Sequence, residues 1–82
     1  MAVAQAKAYT SVNFGQPTKA MAERVKPENK QALQAVVPAM MFVGGGVPIV
    51  IDGVVAGAVG VSGGSEADDH EFATAAAAAA AL

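Results

Sequence analysis

The chain has no cysteine and no tryptophan, and only one tyrosine and one histidine in its 82 residues. Without cysteine there is no disulfide to brace a small fold and no thiolate for catalysis or metal binding. A single histidine cannot build a zinc site. Positive charge is also scarce: five Lys and Arg, none beyond Lys30, stand against seven Asp and Glu, for a net charge of −2. No basic stripe is available to neutralise phosphates, which argues against nucleic acid as a partner. The first residues lack a charged stretch followed by a long apolar run, so they do not read as a signal peptide. Residues 47–61 are apolar but interrupted by Pro48, Asp52 and glycines, too short and broken for a bilayer-spanning helix. A cytoplasmic protein without a membrane partner is the expectation.

What the chain does have is concentrated in residues 44–64. Two β-branched runs flank Asp52-Gly53, the dipeptide best suited to a type I′ hairpin turn, which needs positive φ at both central residues. A two-residue loop predicts that Ile51 faces Val54, Ile49 faces Ala56 and Val47 faces Ala58. These side chains then share one face, with Val50, Val55, Val59 and Val61 on the other. Both faces are apolar, so both should be covered.

Around the hairpin the signals are helical. Residues 1–13 are rich in alanine, with Met1, Ala4, Ala8 and Val12 on one side, and Gly15 and Pro17 to stop the helix. Those small residues predict a close approach to whatever they cover. Thr18 is placed to cap a short helix carrying Met21 and Val25, and Pro27 closes it. Another turn or two follows with Leu33 and Val36 as its buried side, ended by Pro38. Residues 40–43 read as a short strand or the approach to one. Ser65 is an N-cap for a last helix with Glu66, Asp68 and Asp69 in its first turn, running through Phe72 and the alanines of 75–81 to Leu82. The alanine run predicts a smooth surface packed on the sheet. Two or three strands with two apolar faces are too few to close on themselves, so the sheet calls for further neighbours.

Ala6-Lys7-Ala8-Tyr9-Thr10, Asn13-Phe14-Gly15-Gln16-Pro17-Thr18, Gly45-Gly46-Val47-Pro48-Ile49 and Gly57-Ala58-Val59-Gly60-Val61-Ser62-Gly63-Gly64 occur in the order and spacing of a known family. Together with Asp68-Asp69-His70-Glu71 ahead of an alanine-rich helix, they resemble the GlcG/HbpS-type haem-binding family. The same domain is found at the C-terminal end of PduO-type corrinoid adenosyltransferases. The resemblance covers nearly the whole chain, residues 1–82, as a single domain corresponding to the C-terminal portion of the family's. It implies an α+β fold, an antiparallel sheet layered between helices, with the family's N-terminal helix and hairpin absent from this chain. It also implies haem or another tetrapyrrole as cofactor and assembly into homo-oligomers; the unpaired sheet edges call for another copy or a separately encoded N-terminal half as partner.

On that basis the candidate ligand residues are Lys7, Tyr9, Phe14, Gly44, Gly45, Gly46 and His70. Lys7 is the only charged residue of the first helix. Its ordinary reading is a solvated lysine, and its functional reading an anchor for an anion or carboxylate. Tyr9 offers a hydroxyl to a ligand or satisfies it within the core, and Phe14 reads as core. Gly44, Gly45 and Gly46 precede a strand and so form no phosphate loop. They read either as a tight turn or as a backbone lining with free N–H groups. His70 reads as an exposed first-turn histidine that could still ligate iron or move a proton. Met21, Met40 and Met41 are more simply core filling than iron ligands. No nucleophile–base–acid constellation is assembled. A second reading is a lyase-like catabolic enzyme for a small organic acid or aromatic compound, with Lys7 holding the carboxylate and His70 moving protons. A third is the structural half of a split domain.

Overall fold

The computed structural model describes residues 2–37 and 40–81. Met1, Pro38 and Leu82, assigned above to a helix face, a helix stop and a helix end, lie outside the described residues. The elements run α1 (Val3–Phe14), α2 (Thr18–Arg24), α3 (Pro27–Val36), β1 (Gly46–Ile51), β2 (Val54–Gly60) and α4 (Glu66–Ala80). The strands form one antiparallel two-stranded sheet, with α1 on one face and α4 on the other. This is the α+β arrangement expected. Residues 40–43 are the approach to β1 and not a strand.

The hairpin turns where Asp52-Gly53 places it, with φ 51° and 77° at those two residues. Ile51 pairs with Val54 and Val50 with Val55, but Ile49 then pairs with Gly57 and Val47 with Val59. A bulge leaves Ala56 without a partner of its own, and it overturns the expected register of Ile49 with Ala56 and Val47 with Ala58. The inserted residue exchanges the faces of β2 beyond it. Val59 and Val61 therefore join Val47 and Ile49 against Ala73 and Ala77 of α4. The other face is left with Gly46, Pro48, Ala58 and Gly60, small residues against which α1 can lie closely. A Cβ on Gly60 would run into the carbonyl oxygen of Ala4, and one on Gly46 into that of Lys7. The predicted close approach of Ala4 and Ala8 is thus met.

Other expectations need correction. The buried residues of α1 are Ala6, Lys7, Thr10 and Ser11, while Val12 is exposed. Val36 is 80% exposed, because α3 has no helix or sheet against its outer side and buries only part of Leu33. Within the alanine run of α4 only Ala77 is buried, since a narrow two-stranded sheet can cover only one stripe of a helix. A second apolar cluster gathers Met21, Met40 and Phe42, with Tyr9, Ala22, Val25, Leu33 and Val37 around it, so Met21 and Met40 are core. The outer half of the hairpin is uncovered: Val50, Ile51, Val54 and Val55 are all exposed, Val54 at 65%. Among the described residues no helix is long and apolar enough to cross a membrane.

Candidate functional site

Helix α1 ends at Gly15, whose φ of 67° turns the chain so that the Gln16 N–H also reaches the Ser11 carbonyl, at 3.3 Å. This fixes a rigid rod whose one flank packs on α2 and whose other flank overhangs β2. That second flank, with Gly57 and Ala58 as floor, forms an open apolar groove of about 610 Å³ lined by Gln5, Ala8, Tyr9 and Val12. Among the described residues Gln5 and Tyr9 bring the only polar side chains to it. A smaller, more polar cavity of about 410 Å³ lies between α2, the residues before β1 and the start of α4, and includes Lys19, Lys30, Phe42 and Glu66.

Lys7 is neither solvated nor open to an external anion. It is 2% exposed, and its Nζ donates to Asp69 Oδ2 at 3.2 Å and to the Val61 carbonyl at 3.0 Å. Asp69 Oδ1 accepts from the Gly64 N–H at 3.0 Å, so both carboxylate oxygens are held. Ser65 starts α4 as expected, its Oγ accepting from the Asp68 N–H, and this presents Asp69 inward. Gly45, with φ 130°, lies against the Lys7 side chain, where a Cβ would come 2.9 Å from Nζ.

The glycine segment is buried, and the N–H groups of Gly44 and Gly46 are not free. Gly44 N–H donates to Glu66 Oε1 at 2.9 Å and Gly46 N–H to Thr18 Oγ1 at 2.9 Å, while the Gly45 carbonyl accepts from Val61 N–H. Thr18 is the first residue of α2 and not its cap. Its fully buried hydroxyl donates to the Val43 carbonyl at 2.7 Å, stitching α2 to the start of β1. Thr10 does the same for α1, accepting from the Met41 N–H while donating to the Ala6 carbonyl.

Of the candidates, Lys7, Gly45 and Gly46 are brought together, and Gly44 joins them through Glu66. Tyr9 stands apart, with its ring on the groove and the Met21–Phe42 cluster. Phe14 is 40% exposed and not core, tilted at 57° to Phe42 with ring centroids 6.2 Å apart. His70 is half-buried rather than exposed, and its Nδ1 is buried without a partner among the described residues. It lies on α4, on the far side of the sheet from the groove. The sequence reading missed Thr10, Thr18 and Asp69 as organisers. The signal for the first was the polar triplet Lys7, Thr10 and Ser11 at helical spacing, beside the small Ala4, Ala6 and Ala8, which together mark a face that packs closely. Among the described residues no group of His, Cys, Asp and Glu could hold a metal ion.

A family model described as haem degrading protein HbpS-like matches residues 1–78. No curated protein matches the chain. Three similar solved structures are a double mutant of HbpS from Streptomyces reticuli, the ORFY protein of Klebsiella pneumoniae, and a PduOC:heme complex. The first is 33% identical with a TM-score of 0.77, covering 94% of this chain and 51% of its own. The second is 31% identical with a TM-score of 0.85, covering 98% and 57%. The third is 32% identical with a TM-score of 0.81, covering 94% and 57%. This chain therefore spans little more than half the length of each.

Proposed function

We propose that this chain, which belongs to the HbpS-like haem-degrading family, binds haem or a related tetrapyrrole in the groove between α1 and β2. The observation that carries the reading is the groove itself. It is apolar, about 610 Å³ in volume and bordered by the aromatic ring of Tyr9, within the size range of sites that take planar ligands of this class. That a similar protein is solved as a haem complex supports the ligand class. A porphyrin would rest its apolar face on Ala8, Val12 and Ala58. Bound haem would supply the iron chemistry; the chain's own contribution is an apolar surface and the phenol of Tyr9, an oxygen of a type that ligates haem iron. Gln5 provides a hydrogen-bonding amide at the rim. Lys7 holds the Asp69 carboxylate, so its role is to position α1 and not to bind propionate. The second reading, with Lys7 holding a substrate carboxylate, gains nothing from this geometry. The chain works beside further polypeptide, another copy or a separate half, as relatives nearly twice as long suggest.

Haem titration tests the reading. The expected result is a shifted Soret band that weakens by about tenfold in affinity for Tyr9→Phe, the loss of one polar contact, and is unchanged for His70→Ala. An unshifted Soret band with protein in excess removes the reading. A band abolished by His70→Ala and untouched by Tyr9→Phe moves the ligand to the α4 face.

A further inference from the structure

The cavity of about 410 Å³ between α2, α3, residues 42–43 and the start of α4 is lined by two charges of each sign, Lys19 and Lys30 with Glu23 and Glu66. They are not equally answered. Lys19 and Glu23 stand one turn apart on α2 and pair with each other at 3.7 Å. Lys30 and Glu66 form no ion pair, with each other or with any other group among the described residues. Both are nevertheless held in place. The half-buried Lys30 donates from Nζ to the Ala22 carbonyl at 2.8 Å, which uses one of the three N–H donors of an ammonium. Glu66 is exposed, but its Oε1 accepts from the Gly44 N–H at 2.9 Å, and its Oε2 has no partner among the described residues. The rest of the lining is apolar: the buried ring of Phe42, with Val43 and Ala22.

This pattern restricts what the cavity accepts. An anion alone would meet Lys30 but also the carboxylates of Glu23 and Glu66. A cation alone would meet Glu66 but also Lys19 and Lys30. A ligand carrying both charges a few bonds apart answers each wall and sets no like charges together. We propose that the cavity binds a free α-amino acid with an apolar side chain. Its carboxylate accepts from Lys30, its ammonium donates to Glu66 Oε2, and its side chain lies on Phe42, Val43 and Ala22. The volume is within the range of small-molecule sites. Because Ala22 already holds Lys30 and Gly44 already holds Glu66, binding orders little that is not ordered before it. The cavity shares no lining residue with the groove under α1, so the proposal stands or falls apart from the haem reading.

The probe is leucine, titrated into the full chain without haem and followed by the amide NMR shifts of each residue. Isocaproate and isoamylamine, which keep leucine's hydrocarbon with only the carboxylate or only the ammonium, are controls that leave the protein unaltered. The expected result is a saturable shift of the Val43, Gly44 and Glu66 amides by leucine, with each single-charge analogue binding about tenfold more weakly or worse. Lys30→Met and Glu66→Gln should each weaken leucine by about tenfold, the second keeping an amide oxygen for the Gly44 N–H. The Ala8 and Ala58 amides of the groove should not move. Absence of a saturable shift with leucine in large excess over a folded chain overturns the proposal. So does an analogue that binds as tightly as leucine, an affinity unchanged in both variants, or a response confined to Ala8 and Ala58.

Discussion

Burying a lysine is expensive, and Lys7 is tolerated because two acceptors and one donor answer it and its partner: Asp69 Oδ2 and the Val61 carbonyl accept from Nζ, and the Gly64 N–H donates to the other carboxylate oxygen. Charges taken from water cost several kcal/mol each, and removing one partner leaves the other uncompensated. Lys7→Met is therefore expected to destabilise the chain by about 3–5 kcal/mol, enough to unfold a small domain. The double variant Lys7→Met with Asp69→Leu should recover most of that loss, short of the bond to Gly64. Urea denaturation of the two variants checks the pair of outcomes, and equal loss in both would show that the charges do not act as a unit. Lys7 stands out in the sequence as the only charge on its helix. Its partner does not, because Asp69 is 62 residues away and looks like one of several carboxylates placed for the helix dipole.

The elements themselves were largely readable. Ser65 and Gly15 mark helix ends by local chemistry, and Asp52-Gly53 marks the turn by its backbone requirement alone. Ser65→Ala should cost about 1 kcal/mol through loss of the Asp68 cap, seen as a lower denaturation midpoint. The bulge was not readable, since no residue near Ala56 demands it. What selects it is tertiary: without it, Val59 and Val61 would be driven into α1 and Gly60 would face α4. Two glycines separate these influences. Gly53 has nothing within reach of an added Cβ, so Gly53→Ala carries only the left-handed backbone penalty of about 1–2 kcal/mol. Gly60→Ala meets the Ala4 carbonyl and must push α1 off the sheet, so its loss should exceed that of Gly53→Ala and should also narrow or erase the groove's response to haem. Equal destabilisation of the two, with the haem response intact, would mean α1 is free to move away from β2.

At the scale of the molecule, the radius of gyration is 11.8 Å, close to the ~12 Å of a compact domain of this length. Compactness here does not mean a deep core. Among the described residues the buried apolar ones are Ala6, Met21, Met40, Phe42, Val47, Ala73 and Ala77, and three of these are alanine, which bring little area. Meanwhile Val50, Ile51, Val54 and Val55 remain exposed at the hairpin tip, a β-branched segment whose single charge is Asp52, of the kind that associates with itself. The chain alone is thus expected to be marginally stable and to associate as concentration rises, through the tip. A lysine at the most exposed of these positions separates the two effects. Val54→Lys should suppress light scattering and return sedimentation towards a single chain's mass, while moving stability by no more than about 0.5 kcal/mol, as for other exposed positions. Scattering that persists in Val54→Lys would place the association elsewhere, and a wild-type chain that sediments as a folded monomer at all accessible concentrations would show that the thin core and open tip suffice as they stand.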